Sequence, residues 1–541
     1  MRWPTYSLVG TLGALVFGCA SFTPSLLPRD WWLQAVVAGL SASFGYAVGV
    51  FLAWIGRAVV GRTPSAATIR RLWLGLAAVA VPLAGVTLWQ GQRWQVELHG
   101  LMGEPPPDSY AWVRILFVSA GIVVFGIALV RALRWLDHQV TRRLARHFPQ
   151  RLARPMAVVL IGTLLVGVND GLVWRMIVES ANSTFRLTNT STDPGVMRPT
   201  AAGRSGSPAS LVPWNTLGRQ GRDFVAGGPS AAEVAAFGGT LRRSPVRVYA
   251  GLDSAPTTHA RAALAVRELR RAGGFDRSVL VVVTTTGTGQ VESDNVDAIE
   301  LMYRGDTAVV AMQYSYLPSW ISFLGDHEKA QAAGRELFDQ VYDAWAALPA
   351  ERRPKLLVSG TSLGAFGAEA AFSGLEDIRH RTDGVVWAGP PNASALHTDF
   401  VAQRDFGSPE WLPVLDEGRY VRFAAAPSDL DSPGSVTRPN VVYLQNGSDP
   451  IVFWSPRLLF DKPDWLGEKP ARDVSPDMFW IPVVTFWQVT ADLPFALKVP
   501  AGHGHNYREM FADAWAAVAA PAGWTAADTE RLRVALAART H

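Results

Sequence analysis

Five long apolar stretches in the first third of the chain constrain its fold more than any other feature. They cover residues 7–27, 32–56, 72–90, 112–130 and 155–174. Each has about the 17–25 residues that a helix needs to span a bilayer. Charged residues make up only 18% of the chain, against about 25% in a typical soluble protein. The sequence therefore predicts an N-terminal all-α transmembrane bundle with about five spans.

Arginines are concentrated between alternate apolar stretches. The connections 57–71 and 131–154 carry eleven of them, whereas the other two connections carry only Arg29, Arg93 and Arg114. Because basic connections stay in the cytoplasm, this pattern predicts a multi-pass cell-membrane protein whose C-terminal part is extracytoplasmic. The arginines lie beside the predicted spans, which favours membrane anchoring and indicates no nucleic-acid partner.

The sequence pattern changes after the transmembrane domain, 1–180, and a linker at 181–228 that is rich in Ser, Thr, Gly and Pro. In the remaining domain, 229–541, short apolar strands alternate with amphipathic helices, which predicts a mostly parallel sheet with helices on both faces. The predicted strands are 246–250, 279–283, 308–312, 355–359, 384–387, 441–444 and 495–499. The predicted helices are 258–272, 294–303, 328–348, 366–375 and 507–518.

A candidate nucleophile lies in Gly360-Thr-Ser-Leu-Gly, between the predicted strand 355–359 and an Ala-rich helix. The five letters alone are a weak signal, but a strand that enters and a helix that leaves are typical of a nucleophile elbow, which exposes a serine hydroxyl above the sheet. The sequence therefore predicts Ser362 as the nucleophile of an α/β-hydrolase domain.

The order expected for such a site places an acid after the nucleophile and a histidine after the acid. Asp449 follows the predicted strand 441–444 in Gln445-Asn-Gly-Ser-Asp-Pro. A carboxylate at this position would orient the histidine and stabilise its protonated form. Asp429 and Asp431 precede the same strand and fit less well.

Two histidines, His503 and His505, are candidates for the general base, in Gly502-His-Gly-His before the last predicted helix. Spacing does not decide between them, and the position next to the strand end favours His503. Read as metal ligands, the pair forms an incomplete zinc site. The one cysteine, Cys19, excludes a disulfide and a thiolate cluster. We expect no metal and no cofactor.

Oxyanion donors and substrate contacts are predicted from the neighbouring loops. One donor is the N–H group of Leu363, directly after the nucleophile, and another comes from the loop with Gly287 and Thr288. The run Gln313-Tyr-Ser-Tyr-Leu-Pro-Ser-Trp follows the next strand, which suggests substrate contacts by Tyr314, Tyr316 and Trp320. Aromatic residues between 400 and 480 could form a lid for acyl chains, a membrane-interface anchor or ordinary core: Phe400, Phe406, Trp411, Trp454, Phe460, Trp465, Phe479 and Trp480.

Several of these runs together resemble the actinobacterial membrane-anchored α/β-hydrolases, which have a multi-span N-terminal domain and a C-terminal catalytic domain. The resemblance covers nearly the whole chain and implies a serine-hydrolase triad on Ser362, Asp449 and one of His503 or His505. It rests on Ser25-Leu-Leu-Pro-Arg-Asp-Trp, Gly218-Arg-Gln-Gly-Arg-Asp-Phe-Val, Arg247-Val-Tyr-Ala-Gly-Leu, Thr286-Gly-Thr-Gly, the Gln313 run, Gly360-Thr-Ser-Leu-Gly and Gly502-His-Gly-His.

Three functions remain open at this point. The first is hydrolysis of an ester or thioester, with a lipid or cell-envelope acyl group as substrate. The second is acyl transfer through the same acyl-enzyme to a sugar or lipid hydroxyl. The third is a non-catalytic membrane component whose hydrolase-like domain only binds. An ordered triad disfavours the third, and the sequence gives no oligomeric state.

Overall fold

The computed structural model describes residues 6–60, 65–107, 111–167, 185–317, 322, 327–431 and 438–539. The chain divides into two compact units. The first comprises Met1–Glu179 and Ser455–Phe495, and the second comprises Ser180–Trp454 and Ala496–His541. Segment 455–495, which the sequence-based division placed in the catalytic domain, therefore belongs to the unit of the N-terminal helices.

Five helices of the first unit come from the N-terminal region. They are α1 (Leu8–Ala20), α2 (Trp31–Val60), α3 (Ala66–Leu101), α4 (Trp112–Leu144) and α5 (Gln150–Gly167). Among the described residues, α2, α3 and α4 are long and apolar enough to cross a membrane. They correspond to three of the five predicted spans. The 13 residues of α1 extend only about 20 Å, and the fifth predicted stretch continues past the described residues at 167.

Helices α1 and α2 pack closely through small residues. A Cβ atom on Gly45 would lie 2.2 Å from the carbonyl oxygen of Gly13, and one on Gly49 would lie 2.2 Å from that of Val9. Only glycine permits this approach, so both positions require glycine.

The second unit contains a seven-stranded sheet in the order β1-β3-β2-β4-β5-β7-β6, with every neighbouring pair parallel. This confirms the predicted α/β-hydrolase class of fold. The carboxyl ends of all strands lie along one edge of the sheet. The strands are β1 (Val246–Ala250), β2 (Val279–Thr284), β3 (Thr307–Met312), β4 (Lys355–Thr361), β5 (Gly384–Ala388), β6 (Val421–Ala424) and β7 (Val441–Leu444).

Helices cover both faces of this sheet, which explains why its strands are uninterrupted apolar runs. Within β2, Val279, Val281 and Val283 pack in one core cluster, whereas Leu280 and Val282 pack in the other. The remaining helices are α6 (Gly218–Ala226), α7 (Ala231–Gly238), α8 (Thr258–Arg271), α9 (Ser293–Met302), α10 (His327–Ala346), α11 (Leu363–Glu369), α12 (Leu375–Arg381), α13 (Ala395–Ala402), α14 (Pro450–Phe453), α15 (Val484–Asp492, in the first unit), α16 (Met510–Ala519) and α17 (Ala526–Ala537).

Two strand predictions differ from the structure. The predicted strand 495–499 is wrong, because Leu493–Phe495 forms a 3₁₀ turn and the following residues form a loop. Pro494 and Pro500 flank this segment, and proline cannot donate to a strand ladder. Conversely, β6 was not predicted, because Arg422 interrupts its four-residue run. The Arg422 guanidinium donates to the carbonyl oxygens of Gly418 and Leu430.

The segment predicted as a linker packs against the sheet where it is described, from residue 185 onward. The N–H group of Ser205 donates to the carbonyl oxygen of Arg247, and the N–H group of Arg247 donates to that of Gly203, at 3.0 and 3.1 Å. These bonds occupy the outer edge of β1, the first strand of the sheet. This segment therefore protects an edge that would otherwise be free to pair with another chain.

Candidate active site

Ser362 lies in a strained turn between β4 and α11. Its backbone has φ 58° and ψ −126°, a combination that costs a non-glycine residue about 1–3 kcal/mol. The N–H group of Ser362 donates to the carbonyl oxygen of Ala388, at the end of β5, over 2.8 Å. This strand–turn–helix geometry is that of a nucleophile elbow.

Two glycines allow this turn to close. A Cβ atom on Gly360 would lie 2.4 Å from the carbonyl carbon and oxygen of Gly364, and one on Gly364 would lie 2.3 Å from the carbonyl oxygen of Thr284. Any larger residue at either position would have to displace backbone. The turn that carries Ser362 is therefore packed directly against the end of β2.

An acid–base pair lies at the carboxyl edge of the same sheet. Nδ1 of His505 is 2.6 Å from Oδ2 of Asp449, and both side chains are buried. The Tyr507 hydroxyl donates to the same carboxylate oxygen over 2.5 Å, and the N–H group of Ile451 donates to the other oxygen, Oδ1, over 2.8 Å. Both oxygens of Asp449 thus act as acceptors, which fixes the carboxylate and, through it, the imidazole.

The loops that carry the acid and the base are joined to each other by hydrogen bonds. The N–H group of Gly504 donates to the Ser448 hydroxyl over 2.8 Å, and the Asn446 amide donates to the carbonyl oxygen of Gly504 over 2.9 Å. Sequence analysis did not identify Tyr507, Asn446 or Ser448. The one sequence feature that could have indicated them is their position, since each lies within three residues of Asp449 or His505 in the chain.

The His505 ring lies beside the end of β5, next to the residue that binds the nucleophile turn. A Cβ atom on Gly389 would be 2.4 Å from Cε1 of His505. Gly389 follows Ala388, whose carbonyl accepts the N–H of Ser362. Within the described part of the chain, Nε2 of His505 is buried and has no hydrogen-bond partner. The nitrogen needed to accept a proton is therefore available in the neighbourhood of Ser362.

Of the two candidate histidines, His503 and His505, the one that spacing favoured is not the one that contacts the acid. His503 is half-buried, and its backbone N–H donates to the carbonyl oxygen of Pro500 in a turn. It is His505 whose ring pairs with Asp449. The physical reason is that the bonds of Gly504 to the acid loop direct the following residue, not the preceding one, toward the carboxylate.

The predicted oxyanion loop lies beside the nucleophile turn. It is a tight turn in which the N–H of Gly289 donates to the carbonyl oxygen of Thr286. The Tyr249 hydroxyl donates to the carbonyl oxygen of Gly289, and the buried Gln313 amide donates to that of Thr288. The N–H of Leu363 is among the first four of α11, which no carbonyl of the helix accepts. The donor roles of Leu363, Gly287 and Thr288 stay predictions.

The predicted substrate residues fall in different environments. Tyr314 is buried in the core, with 3% of its surface exposed. The Tyr316 hydroxyl donates to Asp253 over 2.7 Å, and Trp320 lies outside the described residues. The aromatic residues of 400–480 divide between core and surface: Phe400, Trp411 and Trp465 are buried, whereas Phe406, Phe460 and Phe479 are exposed. No single role describes this set.

Two carboxyl groups of this region have altered proton affinity. Burial and the nearby Asp294 raise the pKa of Glu292 to about 7, although the positive charges of Arg508 and His505 oppose the rise. Glu292 follows the oxyanion loop and is close enough to His505 for the imidazole charge to affect its pKa. Burial raises the pKa of Glu369, on the nucleophile helix α11, to about 8. Both groups are partly or mainly neutral at pH 7.

Over the described ranges, no group of three or more His, Cys, Asp and Glu side chains is arranged to hold a metal ion.

Comparison with known protein families gives two matches. A sequence model described as the alpha/beta-hydrolase family matches residues 246–532, which is more than half of the chain. A second model, described as the N-terminus of an alpha/beta-hydrolase family, matches residues 22–229. No curated protein and no solved structure matches the chain significantly.

Proposed function

We propose that this chain, which belongs to the alpha/beta-hydrolase family, is a membrane-bound serine hydrolase that cleaves an ester or thioester. Ser362 would be the nucleophile, His505 the general base and Asp449 the acid. One observation carries the proposal: Nδ1 of His505 is paired with Asp449 at 2.6 Å while Nε2 is unpaired within the described residues, beside the strained turn of Ser362.

In this mechanism the Ser362 hydroxyl attacks the acyl carbonyl carbon while Nε2 of His505 takes its proton. Asp449 stabilises the imidazolium, and the Tyr507 hydroxyl holds the carboxylate in place. The oxyanion would be stabilised by the N–H of Leu363 and by a donor from the loop at Gly287 and Thr288. Protonated His505 then gives its proton to the leaving alcohol or thiol. A water molecule, activated by His505, hydrolyses the acyl-Ser362 ester.

Asp449→Asn is expected to lower kcat by about 10⁴-fold without unfolding the chain. The carboxylate accepts hydrogen bonds on both oxygens, from Ile451 on one and from His505 and Tyr507 on the other. An amide has only one acceptor oxygen, so it must present N–H to one set of donors. The measurement is turnover of a short soluble ester by the purified full-length variant in detergent.

The matched control for this variant is Asp429→Asn. Asp429 also accepts backbone N–H bonds near a strand end, from Ala425 and Ala426, and was the alternative acid. We expect its kcat to stay within about tenfold of wild type. A large loss in Asp429→Asn with normal turnover in Asp449→Asn would transfer the acid role and contradict the proposed triad.

The proposed side of the membrane is extracytoplasmic. Segment 455–495 forms hydrogen bonds with the C-terminal end of α3, which the arginine pattern predicts to be outside. Asp477 accepts from the Trp94 indole at 2.8 Å, and Glu97 accepts from the Ser475 hydroxyl at 2.7 Å. This segment is continuous in sequence with the hydrolase domain. These contacts support a hydrolase domain on the outer side of the membrane, where lipids and cell-envelope acyl groups are the available substrates.

A reporter fusion after Ser210 should be active as alkaline phosphatase and non-fluorescent as a cytoplasm-folding GFP, because its reporter would be exported. The control is a fusion after Ser65, in a basic connection, which should show the reverse. Fluorescence at Ser210 with no phosphatase activity would place the site in the cytoplasm and remove the argument for an envelope substrate.

Product analysis separates hydrolysis from acyl transfer. The purified chain, incubated with an acyl ester in water and then with added sugar or lipid alcohols, should release the free acid in both conditions. Formation of a new ester at the expense of the acid would instead identify a transferase with the same acyl-enzyme.

A further inference from the structure

Segment 455–495 lies in the sequence between the acid and the base of the proposed site, yet folds with the membrane helices. It begins shortly after Asp449 and α14. It ends at Phe495, and the carbonyl oxygen of the next residue, Ala496, accepts the N–H of His505 over 2.7 Å. The chain thus passes between the two units three times, whereas a simple anchor needs one connection.

A buried ion pair attaches this segment to the N-terminal region within the first unit. Asp492, the last residue of α15, lies 3.5 Å from Nε of Arg29, and the two side chains are 0% and 1% exposed. The Asp492 carboxylate also accepts hydrogen bonds from the Ser25 hydroxyl and from the N–H of Leu27. All three partners belong to the loop between α1 and α2.

Buried amides extend this contact to the helices themselves. The backbone N–H of Arg29 donates to Gln95 of α3 over 2.9 Å, and the Arg29 guanidinium donates to Gln34 of α2 over 3.1 Å. From the other side, Gln488 of α15 donates to the carbonyl oxygen of Thr23 over 2.8 Å. We name these residues, with Ser25 and Asp492, the Arg29–Asp492 cluster.

The stability of the Arg29–Asp492 cluster depends on the opposite charges of these two residues. Burial raises the pKa of Asp492 to about 6 even though Arg29 opposes the rise. Without Arg29 the carboxylate would have no counter-charge in its buried site and would take up a proton. Conversely, removal of the Asp492 charge would leave a buried arginine unpaired, which is strongly unfavourable. Either change should loosen α15 from the N-terminal helices.

We propose that Arg29 is a positioning residue for the reaction: by holding Asp492, it fixes the segment whose two ends lead to Asp449 and His505. This rests on the proposed function of those two residues. The N-terminal unit then contributes to catalysis as well as to anchoring, because a loose segment would let the acid and base loops shift. A misplacement of about 1 Å is enough to cost about 10²-fold in rate.

The test uses the full-length protein in detergent and the variants Arg29→Met, Arg29→Lys and Asp492→Asn. Arg29→Met should lower kcat for a short soluble ester by about 10²-fold while KM stays within about twofold. Arg29→Lys, which restores the charge, should recover most of the loss. Hydrogen exchange should rise in 455–495 and not in β2 or β4, which shows that the sheet remains folded.

Asp492→Asn and one further variant make the result decisive. Asp492→Asn keeps the size of the side chain, so it tests the charge even if Arg29→Met fails to fold. Asp477→Ala is the control, because it removes only the solvent-exposed bond to Trp94 and should leave kcat within about twofold.

The inference is overturned if Arg29→Met and Asp492→Asn loosen 455–495 but retain wild-type kcat, or if they raise KM alone. A wild-type chain without turnover or fluorophosphonate labelling would overturn the proposed function, and the inference with it. Normal wild-type turnover with unaffected variants would overturn the inference alone.

Discussion

Ser362→Ala is expected to lower ester turnover by about 10⁶-fold, to the residual level that binding and oxyanion donors give without a nucleophile. The hydroxyl oxygen is the atom that would bond to the acyl carbon, and Ser362 lies in the strained turn at φ 58°. The measurement is the steady-state rate with a soluble ester, on protein purified in detergent.

Ser359→Ala is the matched control for this loss. Ser359 is a buried serine on β4, the strand that leads to Ser362. Its hydroxyl donates to the carbonyl oxygen of Val386 over 2.7 Å and accepts from the Asn295 amide over 2.8 Å. Its removal should cost about 1–3 kcal/mol of stability and little turnover. A Ser362→Ala variant that keeps a rate within about tenfold of wild type would show that the reaction does not pass through this serine.

His505→Ala should reduce turnover by at least about 10⁴-fold, whereas His503→Ala should stay within about tenfold of wild type. The difference follows from the 2.6 Å contact of His505 with Asp449 and from the buried, unpaired Nε2 atom of the same ring within the described residues. Turnover of both variants should be compared with their thermal unfolding, so that loss of fold is separated from loss of chemistry. The reverse order of activities would return the base role to His503.

Local sequence patterns predicted the sheet and the turn that carries Ser362 well. The runs at β2, β3 and β4 are apolar throughout because both faces of the sheet are covered, and this leaves a clear signal in the sequence. Ser362 was predicted because its turn requires small residues on both sides, at Gly360 and Gly364. Both features depend on residues that are neighbours in the chain.

Which histidine pairs with Asp449 could not be predicted, because the pairing depends on contacts between distant residues. His503 and His505 are equivalent by composition and spacing. The bonds from Gly504 to Ser448 and Asn446 turn one ring toward the acid. Likewise, the packing of 455–495 with the N-terminal helices depends on the pairing of Asp492 with Arg29, which lies more than 400 residues earlier in the chain. A local sequence pattern does not predict a contact between residues so far apart in the chain.

The N-terminal helices show the same limit. Apolar length predicted α2, α3 and α4 as spans, because each must be apolar over about 30 Å. It also predicted a span at α1, which has only 13 residues. This helix packs closely against α2 at Gly13 and Gly45, while its Leu12 and Val16 side chains are exposed. Composition alone does not separate a lipid-facing helix from one that packs on its neighbour.

Covalent catalysis by Ser362 is tested most directly by peptide mapping of the wild-type chain after reaction with a fluorophosphonate. Mass spectrometry should find a single adduct on the peptide that contains Gly360-Thr-Ser-Leu-Gly, with fragmentation placing it on Ser362. The same treatment of His505→Ala should give little or no adduct, because the serine then lacks its base. An adduct on another serine, or an unmodified chain under conditions that label a known serine hydrolase, would contradict the account.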